Sequence, residues 1–208
     1  MNNILLITSS PRGSASHSTE IAGRLAAHLV DRHPGAVVTH RDLDAEPLPH
    51  LDGLMLSALG AANREGLSPR MFAATLRADA AIAQLFAADA IIIAAPMINF
   101  GLPTTLKAWF DHVLRAGTTF RYTENGPEGL VTGKKAYVVT ATGGVYSSGP
   151  MAPLDFQAPY LKQLLNFIGI TDIEQVAIEG VAFGSEAADK AVAEAKARVD
   201  DLFAAAAA

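Results

Sequence analysis

The run Ala88-Asp89-Ala90-Ile91-Ile92-Ile93-Ala94-Ala95-Pro96 is apolar at nearly every position and stops at a proline. A strand with one wet face alternates polar and apolar residues, whereas a strand apolar throughout is buried on both faces, as the centre of a parallel sheet is. Pro103 stands where proline is best tolerated in a helix, at its first turn, so a helix is expected from there to about Arg115.

The same pattern repeats outward in both directions. Ile4-Leu5-Leu6-Ile7-Thr8 reads as another buried strand, Val37-Val38-Thr39 with Arg41-Asp42-Leu43 as a second, and Ala136–Thr140 and Glu174–Ile178 as two more. Helical spacing marks Ser18–Arg32, stopped by Pro34-Gly35, and a helix from Pro69 with Phe72, Leu76, Ile82 and Leu85 expected on its inner face. Two further helices are expected at Pro159–Phe167 and from about Ser185. Residues 44–68, broken by Pro47, Pro49, Gly53, Gly60 and Gly66, read as an irregular excursion, and 117–134 as a turn-rich loop. Five βα repeats joined by right-handed crossovers make a three-layer, doubly wound α/β sheet of five parallel strands. The strand count favours the flavodoxin-like order 2-1-3-4-5 over the six-strand dinucleotide order. Residues 1–208 are expected to form a single domain, with the tail Ala204–Ala208 frayed.

Composition narrows the chemistry. Half of the 208 residues are apolar and 18% are charged, enough for one substantial core and far from a disordered chain. The net charge of −5 argues against a nucleic-acid surface. The start Met1-Asn2-Asn3-Ile4 lacks a basic leader, and no apolar stretch approaches the ~20 residues that span a bilayer, so a cytoplasmic protein without membrane association is expected. There is no cysteine, hence no disulfide, thiolate zinc, iron–sulfur cluster or cysteine nucleophile.

In a doubly wound sheet, ligands bind beyond the carboxyl ends of the strands where the order reverses. Here the loops after the first, third and fourth strands meet that place. Ser9-Ser10-Pro11-Arg12-Gly13-Ser14-Ala15-Ser16-His17-Ser18-Thr19 joins hydroxyls to a helix N-terminus, an arrangement suited to a phosphate monoester. It holds neither a dinucleotide glycine fingerprint nor a Walker lysine. Pro96-Met97-Ile98-Asn99-Phe100-Gly101-Leu102-Pro103 is apolar, stiffened and carries one amide, as a flat heteroaromatic ring requires. Thr140-Ala141-Thr142-Gly143-Gly144-Val145-Tyr146 lets backbone approach a ligand closely, although taken alone a plain flexible turn fits it equally well. No metal site is expected: His28, His33, His40 and His50 lack ligand spacing and read as surface groups, and His112 reads as packing. The serines lack the G-x-S-x-G of a hydrolase elbow.

Several segments together resemble the FMN-dependent NADH:azoreductase family, flavodoxin-like homodimers that also reduce quinones. They are Pro96–Phe100, Leu106-Lys107, Asp111, Arg115–Phe120 and especially Phe120-Arg-Tyr-Thr-Glu-Asn-Gly-Pro-Glu-Gly-Leu-Val-Thr-Gly-Lys-Lys135, with Ser9-Ser10, Ser16-His17-Ser18, Thr142-Gly143-Gly144 and Asn166–Ile170. The likeness covers nearly the whole chain and is weakest between Leu54 and Glu65. It implies an FMN phosphate on Ser10, Ser16, His17 and Ser18, and an isoalloxazine ring against Pro96, Met97, Ile98, Asn99 and Phe100. It further implies Ala141, Thr142, Gly143 and Gly144 at the pyrimidine edge and ribityl chain, and Phe120, Tyr122 and Phe167 as aromatic walls for the substrate, some reaching across from a partner subunit. Ile98 departs from the family, which usually carries Tyr or Trp there.

The resemblance implies NADH or NADPH as hydride donor, quinones and azo compounds as acceptors, ping-pong kinetics, and an azo bond reduced to two amines over two cycles. No residue is nominated as a catalytic acid, and protons are expected from water. Leu48, Leu51, Leu54, Met55, Leu56 and Leu59 in the excursion are expected at a dimer interface. A flavodoxin-like electron carrier and a flavin-free phosphate-binding protein remain the alternative readings of the same fold.

Overall fold

A computed structural model describes residues 1–60 and 65–204. Its sheet has strands β1 (Asn3–Thr8), β2 (Val37–Asp42), β3 (Ala90–Pro96), β6 (Lys135–Ala141) and β7 (Asp172–Ile178), all parallel, in the order β2-β1-β3-β6-β7. Counting these five strands alone, the order is 2-1-3-4-5, as expected. β4 (Phe120–Thr123) and β5 (Gly126–Gly129) form a separate antiparallel hairpin inside the stretch read as a loop.

The helices are α1 (His17–Arg32), α2 (Gly53–Gly60), α3 (Pro69–Ala87), α4 (Thr104–Val113), α5 (Ala158–Phe167) and α6 (Ser185–Ala204). The apolar run of β3 divides by parity, because successive strand side chains point to opposite faces. Ile91, Ile93 and Ala95 pack in one core with residues of α3, α4 and α5, while Ala90, Ile92 and Ala94 pack in the other with α1 and α6. Trp109 and Phe110 of α4 are fully buried on the first side, edge to face with centroids 5.0 Å apart.

Two expectations about the apolar surface need correction. Phe72 and Leu76 are 45% and 49% exposed, because the buried stripe of α3 is built from Ala74, Thr75, Ala78, Ala81, Ile82 and Leu85. Small residues fill the first half of that stripe, where Phe72 and Leu76 are left outside, while Ile82 and Leu85 are buried as expected. The excursion at 44–68 is also less irregular than its glycines and prolines suggested, since α2 forms within it and packs on α3. Leu48 and Met55 are buried within the chain and Leu51 and Leu59 are half-buried, so only Leu54 and Leu56 of the group stay exposed. Residues 61–64 of the excursion, and the tail beyond Ala204, lie outside the described residues.

The hairpin owes its place to a backbone contact. A Cβ on Gly129 would lie 2.1 Å from the Gly169 nitrogen, and Gly169 itself has φ of +102°. The Val131 N–H donates to Ile168 O at 2.8 Å beside that contact. Chain against chain at this distance admits only glycine.

Candidate functional site

Because β1, β3 and β6 are neighbours, the loops that follow them meet at one end of the sheet. Ser9, Ser10, Ser16 and Ser18 are all buried there. Ser9 Oγ donates to Ala94 O at 2.9 Å, fastening the loop to β3. Ser16 caps α1, its Oγ accepting from Thr19 N–H, and its hydroxyl meets that of Ser18 at 3.0 Å. Thr19 Oγ1 is buried and has no partner among the described residues. His17, half-buried, opens α1. Buried hydroxyls stand at the first turn of a sixteen-residue helix, where the helix dipole adds partial positive charge, a setting that favours negative charge.

The loop after β3 turns back on itself. The Met97 N–H donates to Ala141 O at 2.8 Å, and Ile98 and Gly101 exchange two backbone bonds of 3.0 Å. The two residues between them, Asn99 (φ 46°) and Phe100 (φ 70°), are both left-handed, which is the geometry of a type I′ turn. Asparagine accepts that region readily, but for phenylalanine it costs of order 1–3 kcal/mol. The sequence placed the stiffness of this loop in Gly101 and the prolines, whereas the structure places the strain in Asn99 and Phe100. The turn holds Ile98 and Phe100 outward, 43% and 44% exposed.

In the loop after β6, the carbonyls of Thr142, Gly143 and Gly144 accept from the amides of Val181, Ala182 and Gly180 at 3.2, 3.0 and 3.0 Å. The Gly143 and Gly144 amides bond to no group of the chain among the described residues. A Cβ on Gly143 would come within 3.2 Å of Ala182, and one on Gly144 within 3.3 Å of the Tyr146 ring, so these glycines serve packing as well as approach. Glu179, which sequence reasoning did not single out, accepts from Tyr146 N–H and Ser147 N–H at 2.6 and 2.8 Å and so anchors the loop's far side. Its signal was position alone: it follows directly on β7.

Phe120, Tyr122 and Phe167 also come together. The Phe120 ring lies 4.6 Å from Phe167 and 5.6 Å from Tyr122, whose side chain is left 74% exposed. This cluster sits at the C-terminal end of α5, while the residues preceding its N-terminus touch the loop after β3. Ten helical residues at about 1.5 Å each separate the aromatic cluster from that loop by roughly 15 Å. Among the remaining histidines, His28 is more than a surface group: it pairs with Asp200 at 2.8 Å and stacks on Phe203. His112 is fully buried, with Nε2 2.9 Å from Pro49 O, as packing requires.

Hydroxyls at a helix start, an aromatic turn and glycine amides without partners among the described residues come together at one end of a doubly wound parallel sheet. A family model described as a flavodoxin-like fold matches residues 2–203. An FMN-dependent NADH:quinone oxidoreductase from Rhizobium etli is 54% identical over 202 residues, covering 97% of this chain and 98% of that one. An azoreductase structure from Bacillus anthracis str. Sterne superposes with a TM-score of 0.89 at 29% identity, covering 98% and 99% of the two chains. An FMN-dependent NADH-azoreductase from Bacillus anthracis str. Ames Ancestor, in complex with FMN, reaches a TM-score of 0.86 at 27% identity over 97% and 99%. The chain belongs to the flavodoxin-like family of FMN-dependent NADH:quinone oxidoreductases.

Proposed function

We propose that residues 1–208 act as one three-layer FMN-binding domain that passes electrons from NADH or NADPH to quinones and aromatic azo compounds. The observation that carries this reading is the strained Asn99–Phe100 turn standing beside a cradle of buried hydroxyls. Strain of that kind persists where a ligand site needs it.

The residues present fit FMN. Ser10, Ser16 and Ser18, with the His17 backbone at the helix start, would hold the phosphate, and the unpartnered Thr19 hydroxyl lies in the same turn. Pro96, Met97, Ile98, Asn99 and Phe100 would flank the ring system. Ala141, Thr142, Gly143 and Gly144 would meet its pyrimidine edge, their amide donors favouring negative charge there. When bound, FMN supplies the redox chemistry, accepting a hydride from the nicotinamide and passing electrons to the acceptor. The chain's own work is to hold the ring, present donors at one edge and keep water away.

Both substrates would use the same place in turn, a ping-pong scheme, and an azo bond would consume two hydride donors to give two amines. Phe120, Tyr122 and Phe167 are read as acceptor walls. Within one chain they lie roughly 15 Å from the loop after β3, which favours their delivery by a partner copy in a homodimer. Exposed Leu54, Leu56, Phe72 and Leu76 support such a pairing. Among the described residues no helix is long and apolar enough to cross a membrane, and a cytoplasmic enzyme is part of the same proposal.

The test is a spectrum followed by kinetics. The purified protein should be yellow and release FMN on heating; a colourless protein that ignores added FMN would end the reading. Rates with NADH or NADPH against a quinone and an azo dye should give parallel double-reciprocal lines, and intersecting lines would refute the shared site. A sedimentation mass of one chain would remove the homodimer.

A further inference from the structure

The segment joining the loop after β6 to α5 touches the strained turn from behind, and one residue in it is out of keeping with its surroundings. Gln157 is 1% exposed, an amide in a buried position. Its Nε2 donates to Ala95 O at 3.1 Å, the carbonyl immediately before Pro96. A carbonyl only accepts, so the amide nitrogen must face it, and Oε1 is left buried with no partner among the described residues. Leaving a buried acceptor unmet is costly, and an apolar side chain there would avoid that cost.

The neighbouring contacts converge on the same loop. The Phe156 N–H lies 3.2 Å from Phe100 O and 3.1 Å from Leu154 O, so that donor is shared. The Gln157 bond is therefore the undivided one. Asp155 Oδ1 accepts from the Gln157 and Ala158 amides, both at 2.9 Å, which fixes the start of α5 and with it the Gln157 backbone. From the other strand, Ser9 Oγ holds Ala94 O. Successive carbonyls at the end of β3 are thus held by two side chains, one of them also part of the phosphate loop.

We propose that Gln157 is a positioning residue for the flavin-facing turn: its bond to Ala95 O, with the Phe156–Phe100 contact, sets the height and direction of Met97–Phe100 against the FMN ring. The proposal rests on the FMN reading and adds to it a residue that would not touch the cofactor. A turn with two left-handed non-glycine residues has other conformations available at lower cost, and the Gln157 and Phe156 bonds add to the Ile98–Gly101 pair in holding the one observed. Loosening that hold makes the apo turn spend less time in the conformation that binds, and affinity falls by the same fraction.

The experiment titrates FMN into the FMN-free full chain, following the quenching of flavin fluorescence, for the natural protein, Gln157→Met and Gln157→Glu. Gln157→Met keeps the volume and removes the donor, and should bind FMN about tenfold more weakly, the effect of one lost buried hydrogen bond. Gln157→Glu opposes an oxygen to the Ala95 carbonyl when ionised but offers an O–H when protonated, and burial favours the protonated form. It should bind about tenfold more weakly at about pH 9.5, where even a buried carboxyl ionises, and return to within about threefold of the natural protein at about pH 5. Asp155, Lys162 and Glu179, which line the adjoining cleft, are common to both proteins and cancel in the ratio.

Natural affinity in Gln157→Met would overturn the proposal. So would a Gln157→Glu loss of affinity that acid does not relieve, since a protonated carboxyl restores the donor to Ala95 O. Should Gln157→Met fail to fold, the comparison of Gln157→Glu at about pH 5 and about pH 9.5 decides, affinity independent of pH across that span overturning the proposal. A natural protein that binds no FMN refutes the functional reading and this proposal with it, whereas normal binding with indifferent variants refutes the positioning role alone.

Discussion

The two ends of the sheet are built on opposite terms. At the end where the strands begin, Asp89 and Lys134 find their partners within the chain. Asp89 accepts from Asn2 N–H and Asn3 N–H, and these two bonds hold its carboxyl below the ordinary range. Lys134 Nζ donates to Phe86 O and Ala88 O, while its partial burial lowers its own pKa. Gly129 and Gly169 close the same end by backbone contact. Where the strands finish, buried Thr19 Oγ1 and Gln157 Oε1 lack partners among the described residues, and Asn99 and Phe100 stand in left-handed backbone. Trp109 Nε1, His112 Nδ1 and Arg115 Nε, on α4 and just past it, are buried without partners among the described residues as well, so what sets the second end apart is its buried hydroxyls and its left-handed turn, which a ligand can use. Stability and binding should therefore separate along the strand axis.

Changes at either end can break that separation. The largest effect is expected from Gly129→Ala, whose methyl has no room against Gly169. A loss of about 3 kcal/mol, or roughly 6–12 °C in melting temperature, should appear in a thermal scan. FMN affinity of the folded fraction should change little, and a large loss of affinity would show the two ends to be coupled.

Ser18→Ala should do the reverse. Its hydroxyl is buried and, among the described residues, bonded only to that of Ser16, so melting should hold nearly constant while FMN affinity in a fluorescence titration falls about tenfold. Unchanged affinity would remove Ser18 from the phosphate site.

Phe100→Gly tests the strain directly. It should stabilise the FMN-free protein by roughly 1 kcal/mol, because glycine occupies positive φ without penalty, while weakening FMN binding through the lost ring. A destabilised FMN-free protein would mean that the turn is not strained.

The smallest effect concerns Asp89. Its folded pKa is lowered, so its contribution is present above the ordinary carboxylate range and is lost as pH falls through the folded value. The natural protein should therefore lose stability on acidification more steeply than Asp89→Asn. Equal slopes in melting temperature against pH would show that the carboxylate adds nothing.

Legibility followed the range of the interactions. The β3 run Ala90–Ala95 announced a two-faced central strand because strand burial is written residue by residue. The loops after β1, β3 and β6 could be assigned to one place because strand order alone brings their ends together. On α3, Ile82 and Leu85 face the core as expected while Phe72 and Leu76 do not, because helical spacing reports where apolar residues recur, and both the buried stripe and the Phe72–Leu76 edge recur. The β4–β5 hairpin was hidden because its packing depends on Gly169, forty residues away from Gly129 in the chain and adjacent to it in space.

The sequence by itself determined the βα alternation, the sheet order, the absence of thiol chemistry and the hydroxyl, aromatic and glycine loops that meet at one end. Each of these follows from local pattern or from composition. Tertiary structure decided where the strain lies, which glycines are obligatory, that Gln157 holds the end of β3, and that the Phe120 cluster sits a helix length from the loop after β3 within its own chain. Those depend on contacts between residues distant in sequence, and no local pattern encodes which backbone atoms will meet.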